Sequence, residues 1–427
     1  MQTAEFLINR RRSLFDYLKN LQIFFFLILP ISFVAGPAII DWNISLIGIL
    51  FIIITAKEKT LFNYLRNKIV IFFFIWCIYL ILNSFLSNNI YLSLESSLFY
   101  FRFGFFSLGI YYILKSDLKY AKYFFIVFIS IFFILIIDGF VQYFFNKNLI
   151  GFEKVGYRLG GLFREELILG SFLSRLLPLI FCCYFLLYKN NIKLHFIMSI
   201  LLLLTNILVF LSGERSSFFY ILIFNTIILI FINSFRKTIL IIISSSIVFL
   251  FIFSFTDNVV KNRMFNQTFQ QIDLFSEKIT FFSPRHEAHY KSAFKIFIDN
   301  PIVGIGPKLF REECKKDKYY VKNACQTHPH HFYLQLLSET GLIGALPLII
   351  LFIWISTKFV FHLYQILFDK LKVTYNNSQI CLYTCFIITL WPIIPTGNIF
   401  NNWLSAIMFL PVGFYLFLNQ KNLIDGK

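Results

Sequence analysis

The chain has 427 residues, 58% of them hydrophobic and 14% charged, with a mean hydropathy of +0.72. Such values exclude a soluble globular domain and a disordered chain, so length here measures the number of membrane spans. The formal charge of +17 becomes a question of which loops carry it, and no nucleic-acid partner is implied.

Residues 1–20 hold the basic stretch NRRRSLFDYLKN and read as a cytoplasmic tail without a cleavable signal, because the apolar run after it continues as a span. Apolar windows between charged or turn-rich breaks then predict twelve spans, near 21–40, 42–56, 68–86, 97–114, 120–145, 167–188, 192–212, 216–233, 238–255, 332–357, 376–395 and 399–418. The expected organisation is a tail over 1–20, spans one to nine over 21–255, a large polar loop over 256–331, spans ten to twelve over 332–418 and a tail over 419–427.

Lysine and arginine alternate between loops in a way that supports this count. Arg10, Arg11 and Arg12, Lys57 to Lys68, Lys115 to Lys122, Lys189 and Lys193, Arg236 and Lys237, Lys358 to Lys372, and Lys421 with Lys427 mark one side. The short loops SNNIYLSLESS and PTGNIFNNW carry neither residue, and SGERSS carries one arginine. Both termini are therefore expected in the cytoplasm, with an even number of spans. Two outside segments are longer, 146–166 and 256–331; the second has 76 residues and twelve Lys or Arg, which a long translocated loop tolerates. Cys314 and Cys325 are the two cysteines in that loop. In an oxidising compartment they form a disulfide; the alternatives are free thiols or zinc ligands.

Within the large loop, SPRHEAHYKSAFKIFIDNP predicts a helix capped by Ser283, with Pro284 at its first position and a stop at Asn300 and Pro301. Tyr290, Phe294, Phe297 and Ile298 make one face apolar. Arg285 and His286 fall in the first turn, where unpaired amides and a guanidinium fork suit phosphate oxygens; the alternative is an Arg285 that pairs with Glu287. Arg215 is the only basic residue of the short outside loops and suits an anion, or else a pair with Glu214. Arg102 and Arg175 lie inside spans, Arg102 with Glu95 as a candidate ion-pair partner, and Arg158 and Arg164 lie in the segment YRLGGLFREELILGSFLSRLLPL. Arginines facing outside and close to lipid suit a polyanion presented from the membrane, most simply a lipid-linked diphosphate.

Five of the seven histidines, His286, His289, His328, His330 and His331, fall in the large loop. They read as a general base, a metal site or packing. There is no His-Glu-x-x-His helix, paired Cys-x-x-Cys set or Asp-x-Asp clamp, so no metal and no cofactor are expected. An imidazole with an ordinary pKa near 6.5 can take a proton from a sugar hydroxyl at neutral pH.

NPIVGIGPKLF followed by THPHHFYLQLLSETGLIG resembles the O-antigen ligase and O-antigen polymerase superfamily, whose large periplasmic loop ends in His-Asn-x-Tyr-Leu-x-x-Leu-x-Glu-x-Gly. LSGERSSFF is similar to that family's Ser-x-x-Arg hairpin, and PRHEAHYKSAFKIFIDNP to its loop arginine and following helix. The resemblance implies an all-α polytopic membrane protein of the C-type glycosyltransferase fold, in the bacterial inner membrane, with about twelve transmembrane helices and one large periplasmic loop of short helices. It implies a metal-independent, inverting enzyme that moves glycan from undecaprenyl diphosphate to a hydroxyl on lipid A-core, or on a second lipid-linked glycan in the polymerases. Arg215 and Arg285 would bind the diphosphate, with Arg158 and Arg164 as further candidates. His330 would act as base and Glu339 would hold the helix entrance. His331 stands where the family has asparagine, which keeps His328 and His331 as substitutes for His330. Transfer onto a protein hydroxyl uses the same chemistry. A lipid-linked glycan exporter would want the arginines and the spans, but not a histidine at the loop's end.

Overall fold

The computed structural model describes residues 2–188, 191–256, 261–266, 282–368 and 374–425. Lys189, Lys370, Lys372 and Lys427, and residues 257–260 and 267–281 of the large loop, lie outside that set. In order the helices are α1 Gln2–Leu27, α2 Leu29–Ala35, α3 Pro37–Lys57, α4 Leu61–Leu65, α5 Lys68–Phe85, α6 Ile90–Ser97, α7 Arg102–Ser116, α8 Lys119–Phe145, α9 Leu169–Leu187, α10 Ile192–Leu211, α11 Arg215–Phe231, α12 Arg236–Thr256, α13 Pro284–Asp299, α14 Phe310–Glu313, α15 Phe332–Phe368, α16 Asn377–Thr389 and α17 Asn402–Asp425. Among the described residues the only extended pairing is two isolated bridges, Lys147 with Glu153 and Val155 with Arg158.

Nine of these helical stretches are long and apolar enough to cross a membrane, and the bent pair α1 and α2 makes a tenth. The protein is thus an all-helical, multi-pass membrane protein. Two of the twelve expected spans are shorter than a bilayer core: α11 has 17 residues and α16 has 13, about 25 and 20 Å of rise. α16 stops at Thr389 just before Pro392 and Pro395, which cannot donate to a continuing helix. The tail is also not separate from the first span: α1 begins at Gln2, and the candidate span within it runs from Leu14, bending by 53° into α2.

The most enclosed span is α9, with 83% of its apolar window buried, whereas α12 has 17% and lies at the periphery. α7 packs between α3 and α17, and α9 against α16. Arg102 pairs with Asp41 of α3 at 2.7 Å, not with Glu95, because side chains on packed helices come closer than residues one loop apart; Glu95 pairs with Lys308.

The segments expected outside meet one another at one end of the bundle. Asn88 and Asn89 donate to Glu313 and Glu312 at 3.1 and 3.2 Å, Arg158 lies against Gly213, and His331 bonds Pro392. Segments expected inside meet at the other end, where Lys19 and Tyr112 reach Glu58 at 2.8 Å each and Asn377 reaches Ser234 at 3.2 Å.

Candidate functional site

The site is organised by a break in α15. Gly341 has φ 62° and ψ −168°, so the helix is interrupted about two and a half turns after it begins. The segment that follows α13 enters this break. Leu342 N donates to Pro301 O at 2.9 Å, Ile305 N to Ser338 O at 3.1 Å, and Gly306 N to Glu339 O at 2.7 Å. A Cβ on Gly341 would collide with the Ile302 carbonyl, and one on Gly304 with the Glu339 backbone at 2.5 Å, so both glycines are required by the approach. Glu339 is fully buried; Oε1 accepts from Phe310 N at 3.2 Å and Oε2 from Gln335 Nε2 at 3.1 Å. From α5, Trp76 donates to Gly344 O at 2.9 Å, Tyr79 to Thr340 O at 2.6 Å and Asn83 to Val303 O at 2.6 Å, which ties both the break and the segment that enters it to one span.

Above this clasp the loop histidines gather. α13 starts as the sequence predicts, with Ser283 accepting from His286 N and Pro284 in the first turn. Its His286 and His289 rings lie 5.8 and 5.4 Å from the His330 ring, and His328 lies 4.1 Å from it. His289 is buried with Nδ1 on Ala324 O at 2.6 Å, next to Cys325. Cys325 and Cys314 are bridged as a disulfide with their Cα atoms 5.4 Å apart. No group of three or more His, Cys, Asp or Glu among the described residues is arranged to hold a metal ion.

His331 has both nitrogens engaged. Nε2 donates to Pro392 O at 2.8 Å, and Nδ1 accepts from Leu334 N at 3.3 Å. It therefore caps the N-terminus of α15, the task an asparagine performs at the same place. His330, at φ 56°, is fixed through its carbonyl, which accepts from Thr396 N at 2.9 Å. Its ring nitrogens have no hydrogen-bond partner among the described residues, which leaves them open to a ligand.

Burial first, and then neighbouring charge, holds these imidazoles neutral. His330 is lowered to about 4 by burial, His289 and Arg285, and His286 to about 4 by burial, His330, His289, Arg215 and Arg285. His328 is lowered to about 3 by burial, His330, His289 and Arg311. Arg215 and Arg285 thus act on the same ring from two different elements. Arg285 is exposed in the first turn of α13, and Glu287 there pairs with Lys291 at 3.6 Å.

Arg215 opens α11. Beside it Gly213, at φ 73°, has Arg158 Cγ, Tyr157 Cδ2 and Arg263 Cγ within 3.6 to 3.8 Å of where a Cβ would stand. Arg263 lies 5.2 Å over the Tyr157 ring and close enough to repel Arg215. Glu214 is buried and accepts from Gly170 N, Ser171 N and Ser217 Oγ at 2.8, 3.0 and 2.9 Å. Burial raises its pKa, against the lowering influence of Arg158. Arg164 stands apart, exposed and 5.1 Å over the Phe152 ring.

The structure therefore brings together Arg158, Arg215, Arg285, His328 and His330, with His331 and Glu339 as supports, and leaves Arg164 outside the group. The sequence did not single out Arg263 or Arg311, and it gave Tyr290 no part in the site. Tyr290 is one of the apolar-face residues of α13, and its ring lies 5.2 Å from His331. Arg263 and Arg311 are two of twelve cations in a polar loop, where spacing alone gives no signal.

No curated protein matches the chain. Residues 197–349, from α10 into α15 and including Arg215, Arg285, the loop histidines and Glu339, match the family model described as O-antigen ligase. Over those residues the chain is similar to the O-antigen ligase and O-antigen polymerase superfamily, which supports the resemblance carried by its motifs.

Proposed function

We propose that the protein is an inverting glycosyltransferase of the O-antigen ligase type, in the bacterial inner membrane, with both termini cytoplasmic and the loop end of the bundle periplasmic. The observation that carries this reading is the convergence of Arg215, Arg285 and an unengaged His330 on one cluster. A hydroxyl of lipid A-core attacks the anomeric carbon of the glycan on undecaprenyl diphosphate. The bond from that carbon to the diphosphate oxygen breaks, with inversion, and the hydroxyl proton passes to His330. Arg215 and Arg285 hold the departing diphosphate, with Arg158 next to Arg215, and stabilise its developing charge without a metal. Burial, then the charge of neighbours such as Arg285, keeps His330 near 4; anion binding opposes the second of these, which makes it a better base when the donor is in place.

Purified protein given a lipid-linked glycan, with either lipid A-core or a second lipid-linked repeat, tests the assignment. Glycan on lipid A-core is the expected product. Elongated lipid-linked chains would make the protein a polymerase, product on neither acceptor would overturn both, and loss of activity with chelator would overturn the metal-free chemistry.

A further inference from the structure

Arg175, on α9, is 3% exposed. Nε donates to Ser171 Oγ at 3.2 Å and Nη2 to Tyr220 Oη at 3.0 Å, with the guanidinium carbon 4.5 Å from the Tyr220 ring centre. Nη1 is buried and has no hydrogen-bond partner. Among the described residues no carboxylate pairs with this arginine. Glu214, which reaches the first turn of α9, has its carboxylate taken by two backbone amides and Ser217.

A guanidinium inside a membrane-embedded helix normally faces a counter-charge or a polar path, because an uncompensated charge there is costly. Tyr220 does not supply the counter-charge, since a phenol is neutral near pH 7. Its position points to what does. Tyr220 follows Arg215 on α11 by five residues, about 7.5 Å of rise. It also lies within electrostatic reach of Tyr290, whose ring is 6.1 Å from that of His286. Arg175 is thus the next cation along the helices from the arginines at the loop end.

We propose that Arg175 binds the anionic head of the lipid-linked substrate, its unpartnered Nη1 taking a phosphate oxygen while Ser171 and Tyr220 hold the guanidinium in place. The identity of that head as a diphosphate rests on the function proposed above. A phosphate bound here neutralises a buried arginine that no carboxylate pairs with among the described residues, and places the charged head between α9 and α11.

The test uses the full chain in detergent, with thermal unfolding followed against farnesyl diphosphate and, separately, inorganic pyrophosphate. The unaltered protein is expected to be stabilised by farnesyl diphosphate and less by pyrophosphate, the difference reporting the prenyl chain. Arg175→Met removes the charge at similar volume and is expected to remain folded without ligand, while its Kd for farnesyl diphosphate weakens at least tenfold. Arg175→Gln keeps donors for Ser171 and Tyr220, and the same loss is expected. Wild-type Kd in either variant overturns the proposal, as does failure of both variants to fold, which would assign Arg175 to the fold alone. Absence of binding by the unaltered chain would instead overturn the diphosphate reading of the whole site.

Discussion

Two arginines inside spans, Arg102 and Arg175, divide the molecule by what each region does with charge. Around α3 and α7 charges are paired within the protein: Arg102 with Asp41 at 2.7 Å, Lys19 with Glu58 at 2.8 Å. Around α9, α11 and α13 the cations collect, and the two fully enclosed carboxylates are turned toward backbone amides: Glu214 toward Gly170 and Ser171, Glu339 toward Phe310. A neutralised charge fixes two helices. A cluster of like charges suits an anionic ligand, and the side of the molecule where the cations cluster is where the imidazoles stand.

The largest expected effect tests that division directly. Arg215→Ala, Arg285→Ala and His330→Ala should each reduce glycan transfer by about a thousandfold, the scale of a lost oxyanion or proton-transfer contact. The joint replacement of Arg102 and Asp41 by leucine should leave transfer within about twofold, since an ion pair replaced as a pair loses little. A strong loss of transfer in the paired variant would end the distinction between the regions.

Next in size is Gly341→Ala, which puts a Cβ against the Ile302 carbonyl at positive φ. It should cost about 3 kcal/mol and release the loop from the break. Faster proteolysis between α13 and α15, with spans intact, is the readout; unchanged proteolysis would show that the clasp tolerates side chains.

A smaller effect follows from the depressed imidazoles. With His286 and His330 near 4, the empty site carries them neutral at pH 7. A bound phosphate anion favours the imidazolium and raises both values, so binding takes up protons and tightens as the pH falls from 8 toward 5.5. Affinity for farnesyl diphosphate measured across that range should rise on acidification, and the slope should shrink in His330→Asn. An affinity that is flat or weaker at low pH contradicts the coupling. In the absence of ligand the sign reverses: the unfolded chain binds these protons more readily, so stability declines as the pH drops below about 6.5 toward 4.

The smallest difference separates two substitutions at one position. His331→Asn should keep both the cap and transfer, whereas His331→Ala should lose about 1 kcal/mol in thermal unfolding. Equal stability of the two would remove the capping role.

The apolar helices were legible because their driving force is local: composition and length decide a span. The loop histidines and Arg285 could be grouped from the sequence because they share one loop, whereas Arg215 opens α11 and Arg158 precedes α9, so both join that group only through the fold. The break at Gly341 was not, since LSETGLIG reads as the start of an unbroken apolar helix, and the partners that replace its backbone bonds come from Pro301 to Gly306 and from α5. The partner of Arg102 was misread for a related reason, as Asp41 is distant in sequence and adjacent only across packed helices. His331 appeared to compete with His330 until its two ring bonds showed it committed to the helix terminus.

The break also has a consequence for how the protein is made. Trp76, Tyr79 and Asn83 are synthesised on an early helix, but the carbonyls they serve follow 268, 261 and 220 residues later. A nascent chain halted before residue 303 therefore holds three polar donors on a lipid-seeking segment with their final acceptors still missing, and one halted before residue 340 still lacks two of them. Biogenesis is closed from the far end, and the early helices reach their native footing only when the last third of the polypeptide arrives.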